Sequence, residues 1–152
     1  MQARRPALHL ALTLLCLALL AHIAVSDLRA FRIPDHATLP LAIGGLVWAF
    51  LYAPVPWLSI ASALVAGGVF LALAMGYERL RGVEGLGLGD AKLVAAGALW
   101  VGTGIALAIA LGAGAALAVT ALLAMQGRRS MSDPIPFGPY LALGIGAVFL
   151  LG

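Results

Sequence analysis

The chain has 152 residues, of which 63% are hydrophobic and only 10% are charged, and its mean hydropathy is +1.08. Soluble domains are about 45–50% apolar and about 25% charged, so this composition excludes a soluble enzyme and predicts a protein embedded in a lipid bilayer. Nine Lys or Arg against six Asp or Glu give a net charge of +3 at pH 7. In a membrane protein such cations report orientation, so nucleic-acid binding is not expected. The single cysteine, Cys16, excludes a disulfide framework within one chain.

The first apolar stretch, residues 7–25, contains no Asp, Glu, Lys or Arg. A spanning helix needs about 20 apolar residues, so this stretch predicts span one. The competing interpretation is a cleaved signal peptide, because Arg4 and Arg5 precede the stretch and Ala-Val-Ser at residues 24–26 resembles a cleavage site. The stretch is longer than the ~7–15 apolar residues of a signal peptide, which favours a membrane span.

Two further spans are predicted on either side of a proline turn. Residues 38–52 form span two, which Pro54 and Pro56 end, and residues 57–77 form span three. The polar, glycine-rich segment that follows, residues 78–90, predicts a loop outside the hydrocarbon.

The next apolar stretch, residues 91–125, is too long for one span. As a single helix at 1.5 Å per residue it would measure about 50 Å, against a hydrocarbon core of ~30 Å. Gly-Thr-Gly at residues 102–104 is the predicted break between spans four and five. After a polar loop at residues 126–133, span six runs from Ile135 to the end. The sequence therefore predicts an all-α, six-span membrane protein with one domain over residues 1–152.

The positive charges are unevenly divided between the two sides of such a protein. Six spans place three charged loops on one side, and with Lys92 that side has seven cations: Arg29, Arg32, Arg79, Arg81, Lys92, Arg128 and Arg129. Only Arg4 and Arg5 lie on the other side. The positive-inside rule makes the seven-cation side cytoplasmic and places both termini outside.

Two aspartates are the leading functional candidates, because ionisable groups at membrane depth cost several kcal/mol and are seldom present without a role. Asp27 directly follows span one and Asp90 directly precedes span four, so both carboxylates are expected at the cytoplasmic ends of their helices. Two carboxylates within hydrogen-bond reach cannot both ionise easily and can share one proton while activating a water, as in an aspartic protease. Spacing alone leaves helix capping or pairing with arginines open.

Three segments resemble the prepilin peptidases, also called type IV leader peptidases. Gly-Leu-Gly-Asp-Ala-Lys-Leu at residues 87–93 resembles their GxGD segment. Asp-Leu-Arg at residues 27–29, followed by Ile-Pro-Asp at residues 33–35, resembles the segment of their first catalytic aspartate. Ile-Pro-Phe-Gly-Pro-Tyr at residues 135–140 is similar to their late PFGP segment. The three segments occur in the family's order, each at the edge of a span.

The resemblance implies a GxGD-type aspartic protease fold. It implies a bacterial inner-membrane endopeptidase that cuts the basic leader from type IV prepilins or pseudopilins at the cytoplasmic face, with Asp27 and Asp90 as the catalytic pair. It also implies that Gly87 and Gly89 let backbone approach that pair closely. The expected partners are the prepilin substrate and the lipid bilayer, and the residues do not indicate an oligomeric state.

The long members of that family resemble a two-part protein whose amino-terminal domain, with cysteine pairs, methylates the trimmed pilin. Span one begins here at Ala7, which leaves no residues for that domain. Peptidase activity without methyl transfer is therefore expected, as in the short members associated with Flp-type pili.

Other polar residues have less specific interpretations. Asp35, Glu78 and Glu84 are the acidic loop residues expected to bind the basic leader. Lys92 is suited to hold a substrate carboxylate or Asp90, or to snorkel to the interface. His22, about one helical turn before the first aspartate, either tunes the pair or packs between helices.

No metal or other cofactor is expected. His9 and Cys16 lie on one helix with no acidic residue at their depth, so they form no metal-ligand set. Trp48, Trp57 and Trp100 are interpreted as interface anchors. Asp35 and Asp133 are expected in turns beside their prolines.

Two alternatives differ in kind from a prepilin peptidase. The presenilin-like proteases also carry GxGD but pair it with a Tyr-Asp, whereas Tyr77 here is followed by Glu78. A non-catalytic membrane scaffold subunit would keep the helices for packing alone. The presence of both aspartates favours the enzyme.

Overall fold

A computed structural model describes residues 6–81, 87–128 and 135–152. The described residues form six α-helices and one 3-10 turn, and they contain no β-strand, which confirms the all-helical prediction. The helices are α1 (Pro6–Ala30), α2 (Asp35–Tyr52), α3 (Pro56–Arg81), α4 (Leu88–Val101), α5 (Ile105–Met125) and α6 (Gly138–Leu151). The 3-10 turn, Gly102–Gly104, separates α4 from α5.

Apolar stretches suited to a bilayer dominate the bundle. Three are long and apolar enough to cross a membrane: Pro6–Ala30, Pro56–Leu80 and Leu88–Met125, the last comprising α4, the 3-10 turn and α5. Helix α6 is a shorter apolar helix. Large apolar side chains cover the outside of the bundle, such as Leu64 with 72% of its surface exposed and Leu117 with 64%. An apolar exterior of this extent is what a surface in contact with lipid requires.

The helices alternate in direction along the chain. Asp27 near the end of α1 bonds to Gly138 at the start of α6, and Asp35 at the start of α2 pairs with Lys92 near the start of α4. At the opposite end, the rings of Trp48 in α2 and of Phe149 in α6 are in contact, with centroids 4.9 Å apart. Helices α2, α4 and α6 therefore begin at the end of the bundle where α1 finishes, which we call the site end.

Helices α3 and α5 run the other way, toward the site end. Ser59 near the start of α3 lies beside Gly102 at the end of α4, and Gly112 of α5 packs on the backbone of Tyr140 in α6. The chain therefore reverses at Gly102–Gly104, and the structure confirms the predicted break there. Gly102 has a φ of +57°, a left-handed conformation that glycine adopts without steric cost.

Small residues let the helices approach closely. A Cβ added to Gly97 would lie 2.5 Å from Ile145 Cδ1, and one added to Gly112 would lie 2.8 Å from the Tyr140 carbonyl oxygen. Gly144 faces the carbonyl oxygen of Ala108 in the same way. Close contact thus holds α6 against α4 through the Ile145 side chain and against α5 through backbone atoms.

Several helix boundaries differ from the sequence prediction. Helix α3 continues to Arg81 and α4 begins at Leu88, so helix occupies both edges of the predicted loop. The prediction of a turn at Asp35 is wrong, because Asp35 is the first residue of α2. The carbonyl oxygen of Pro34 accepts hydrogen bonds from the N–H groups of Ala37 and Thr38, and a carboxylate is stabilising in the first turn of a helix. Asp133 lies outside the described residues.

The prediction that Trp100 anchors the protein at the interface is also wrong. Its side chain is only 4% exposed, and its indole N–H donates a hydrogen bond to the Leu41 carbonyl oxygen at 2.8 Å. Gly44 and Gly45 of α2 make room for the ring, since a Cβ on either would lie within 2.8 Å of it. Trp48 is half-buried beside Trp100, whereas Trp57 is 69% exposed.

Candidate active site

An open, polar cavity of about 840 Å³ lies at the site end of the bundle and contains both predicted aspartates. Four parts of the chain form it: the end of α1, the connection from α1 to α2, the start of α4 and the segment before α6. Its other lining residues include Phe31, Arg32, Asp35, Gly87, Gly89, Lys92 and Phe137. The alternation of helix direction brings these distant parts of the sequence together.

Asp27 enters the cavity from the last turn of α1 and is only 6% exposed. Its Oδ2 accepts a hydrogen bond of 3.0 Å from the backbone N–H of Gly138. A Cβ on Gly138 would lie 2.7 Å from the same oxygen, so a glycine is needed for the backbone to come this close. The first and last helices are thereby joined at the carboxylate.

Asp90 enters the cavity from the first turn of α4 and is 9% exposed. The backbone N–H of Gly87 donates to its carboxylate, and its own N–H donates to the Gly87 carbonyl oxygen at 3.0 Å. Gly89 packs against the connection from α1 to α2, because a Cβ there would lie 2.9 Å from Ile33 Cβ. Gly87 holds the carboxylate at the start of α4, and Gly89 lets the start of α4 pack against the connection from α1 to α2.

The two carboxylates interact electrostatically across the cavity. Each is buried, and each accepts a backbone hydrogen bond, so both side chains are held in place. The interaction of two buried like charges disfavours double ionisation, and one shared proton relieves the repulsion. Such a pair is able to activate a water with one member and donate a proton with the other.

Lys92 and Asp35 form an ion pair on the cavity rim, with 2.7 Å between Nζ and Oδ1. Lys92 therefore contacts Asp35 and not Asp90. The two side chains are 54% and 73% exposed, and pairs this exposed stabilise a fold by only about 0.2–1 kcal/mol. The pair is thus open to rearrangement by a charged or polar group that enters the cavity.

The remaining predicted residues lie elsewhere. Glu78 is exposed near the end of α3, beside Met75 and Arg79 in a separate cleft, and it does not line the cavity. Glu84 lies outside the described residues. His22 is exposed, and its Nε2 is 3.3 Å from Nε2 of His36, with neither ring lining the cavity. Within residues 6–81, 87–128 and 135–152, no group of three or more His, Cys, Asp or Glu side chains is arranged to hold a metal ion.

Two features of the cavity were not assigned a role from the sequence. The first is the hydrogen bond from the Gly138 N–H to Asp27. The PFGP segment drew attention to Gly138 in the sequence, but no sequence pattern indicates which backbone N–H a distant carboxylate will accept a bond from. Phe31 lines the cavity with a φ of +49°, a conformation costly for a residue with a side chain. Its N–H donates to the Asp27 carbonyl oxygen, which ends α1 just past the carboxylate.

The model of the type IV leader peptidase family matches residues 14–124, which include both aspartates of the cavity. The chain belongs to the type IV leader peptidase family. This membership agrees with the resemblance of the three segments. No solved structure matches the chain at a significant level.

Named relatives of this leader peptidase family fall into two sizes. The prepilin leader peptidase/N-methyltransferase of Burkholderia pseudomallei is 37% identical over 146 residues, which are 91% of this chain and 45% of that protein. The corresponding protein of Dickeya chrysanthemi is 37% identical over 97% of this chain and 52% of its own length. The chain thus spans about half the length of these relatives. The leader peptidase HopD of Escherichia coli is 35% identical over 83% of this chain and 81% of its own length.

Proposed function

We propose that this chain is a membrane aspartic endopeptidase that cleaves the basic leader from type IV prepilins or pseudopilins, including Flp-type pilins. The observation that carries the proposal is the pair of buried aspartates, Asp27 and Asp90, which come from separate helices and share one cavity. Family membership supports it, as do the names of relatives such as the HopD leader peptidase.

In the proposed mechanism, the aspartates hold one proton between them. The ionised carboxylate takes a proton from a water as that water attacks the scissile carbonyl carbon, and the protonated carboxyl donates its proton to the carbonyl oxygen. As the tetrahedral intermediate collapses, one of its hydroxyls returns a proton to the ionised carboxylate, the C–N bond breaks, and the departing amine receives a proton from the other carboxyl, so the pair again holds one proton. The Gly138 N–H and the Gly87 N–H keep the two carboxylates oriented throughout.

The leader is expected to approach from the cation-rich side of the membrane. In this proposal the six helices all cross the bilayer of the bacterial inner membrane as a single GxGD-type protease domain over residues 1–152. The site end carries Arg29, Arg32 and Lys92, which supports a cytoplasmic position for the cavity. Asp35 lines the same cavity as the pair, so it is the first candidate to meet a basic leader, and Glu78 and Glu84 are the other acidic residues proposed to do so.

Co-expression with a prepilin from the same genome tests the function. Leader removal, followed as a gel shift of the tagged prepilin, is expected with the unchanged chain and is expected to be lost in both Asp27→Asn and Asp90→Asn. Asparagine keeps the size of the side chain but takes up or releases no proton. Glu78→Gln is the matched control, because that acidic side chain is exposed and lies away from the cavity.

Two outcomes would contradict the proposal. Unchanged cleavage by Asp90→Asn would exclude the aspartate mechanism. Absence of cleavage by the unchanged chain, together with normal insertion in the membrane, would favour a scaffold subunit.

A further inference from the structure

A second opening, distinct from the polar cavity, runs along the outside of the bundle. It is an open, almost wholly apolar groove of about 720 Å³ between α2 and α3, with α4 as its floor. Leu39 and Leu46 of α2 form one wall, Leu64 of α3 belongs to the other, and Ala95 and Leu99 of α4 form part of the floor. Leu39 is 64% exposed and Leu64 is 72% exposed, so the groove opens sideways toward lipid.

The groove adjoins the cavity of the two aspartates. Asp35 and Lys92 line both spaces, so their ion pair marks the junction. Along α4, Asp90 lies in the cavity, Lys92 at the junction and Leu99 on the floor of the groove. At 1.5 Å per residue, the distance along the helix from Asp90 to Leu99 is about 13 Å. The groove therefore leads away from the carboxylates in a straight line, along the axis of α4.

We propose that this groove binds the apolar helix that follows the scissile bond of the substrate, and that this helix enters sideways from the bilayer. The inference rests on the proposed function. A peptide bond at the carboxylates has its basic leader on the polar side, so the other side of the chain continues into the groove. Within hydrocarbon a polypeptide must satisfy its own backbone hydrogen bonds, and a single segment does so only as a helix.

The groove has the chemistry of a helix-binding surface. Its floor contains Ala95 and Ala96, and small residues allow two helices to approach closely. Its walls present leucine side chains, which suit the apolar face of a helix lying in a groove.

Photo-crosslinking tests the location. The full chain, carrying Asp90→Asn so that substrate stays uncut, receives a benzoylphenylalanine at Leu39 or at Leu64 and is mixed in membranes with a tagged full-length prepilin. The matched control is Leu117 on α5, which is 64% exposed, the same as Leu39. We expect adducts with the prepilin at Leu39 and Leu64, and only background at Leu117. Equal yields at the three positions, or adducts with lipid alone, would overturn the inference.

The second test measures cleavage kinetics after a bulky side chain has been introduced into the groove. Ala42 is half-buried and lines the groove, so Ala42→Phe should raise KM for full-length prepilin by about tenfold, the factor that corresponds to ~1.4 kcal/mol of binding. Cleavage of a short soluble peptide that ends just after the scissile bond should be unchanged. Ala147→Phe is the control, because Ala147 is also half-buried and lines a different apolar cleft, between α1 and α6.

The outcomes separate this inference from the proposed function. If the unchanged chain cleaves neither full-length prepilin nor the short peptide, the proposed function fails. If it cleaves both, but Ala42→Phe leaves KM for prepilin unchanged or raises it no more than Ala147→Phe does, only the groove inference fails.

Discussion

The hydrogen bond from Gly138 to Asp27 offers a sharp test of how the candidate active site is built. In Gly138→Ala the added Cβ would lie 2.7 Å from Oδ2 of Asp27 and 3.0 Å from its Cγ. An ordinary contact begins at 3.4 Å, so the start of α6 and the carboxylate must separate by about 0.7 Å. The 3.0 Å hydrogen bond then exceeds the ~3.2 Å limit for N–H···O bonds.

The expected loss follows from the value of that bond. A hydrogen bond to a charged group contributes about 1.5–3 kcal/mol, and each ~1.36 kcal/mol of lost transition-state stabilisation is a factor of ten in rate. If Asp27 keeps its hydrogen bond through the reaction, Gly138→Ala should cleave prepilin about 10-fold to 150-fold more slowly. Membrane insertion should not change, because alanine favours helix over glycine.

The assay is the initial rate of leader removal from a tagged prepilin at equal enzyme concentrations. Gly146→Ala is the matched control in the same helix, since its Cβ would meet only Leu20 Cδ1 at 3.8 Å, and it should keep the rate of the unchanged chain. Gly138→Ala at more than half of that rate would show that Asp27 does not depend on the bond to α6.

Four further predictions follow from the structure and the proposed mechanism. The double variant Asp27→Asn with Asp90→Asn should be no less active than either single variant, because residues that act as one unit are not additive; a further loss in the double variant, measured as residual cleavage, would separate their roles. The pH profile of kcat/KM should be bell-shaped, because one carboxyl must be protonated and the other ionised; a profile with a single ionisation would contradict a shared proton. Gly102→Ala should lower the melting temperature, since a side chain at a left-handed φ costs about 1–2 kcal/mol, whereas Gly68→Ala, with open space around its Cβ, should not. A reporter fused after Gly152 should be active only on the side of the membrane away from the cytoplasm, and activity in the cytoplasm would refute the six-span topology.

The sequence was sufficient to predict the path of the chain through the helix bundle. Apolar stretches separated by polar ones predict alternating helices, and alternation alone brings Asp27 and Asp90 to one end. The break at Gly102–Gly104 was also predictable, because a helix as long as residues 91–125 has no place in a bilayer of ordinary thickness.

The hydropathy pattern of the sequence does not show where the backbone hydrogen bonds of a helix end. Helix α3 extends to Arg81 and α2 begins at Asp35, although both residues are polar, because a helix continues beyond the hydrocarbon as long as its backbone bonds are satisfied. The turn predicted at Asp35 rested on the proline beside it, and the structure instead has the first residue of a helix there.

Contacts between distant residues were beyond sequence reasoning. Lys92 pairs with Asp35 across 57 residues, and Trp100 is buried because Gly44 and Gly45 of another helix leave room for its ring. The exposed Trp57 has the same sequence context, a tryptophan near the end of an apolar stretch. Which tryptophan is buried depends on the partner helix, and one sequence without a structure does not identify that partner.

The hydrogen bond between Asp27 and Gly138 also determines when, during synthesis of the chain, the candidate active site can first form. Its two residues are 111 positions apart, and the ribosome adds about 5–20 residues per second. The helix carrying Asp27 therefore waits roughly 6–20 seconds in the membrane before the segment that completes its carboxylate has been made. During that interval the growing chain lacks the N–H that holds Asp27, so the candidate active site is complete only once α6 has been made. A chain whose synthesis stopped before α6 would have helices in the membrane but an incomplete candidate active site.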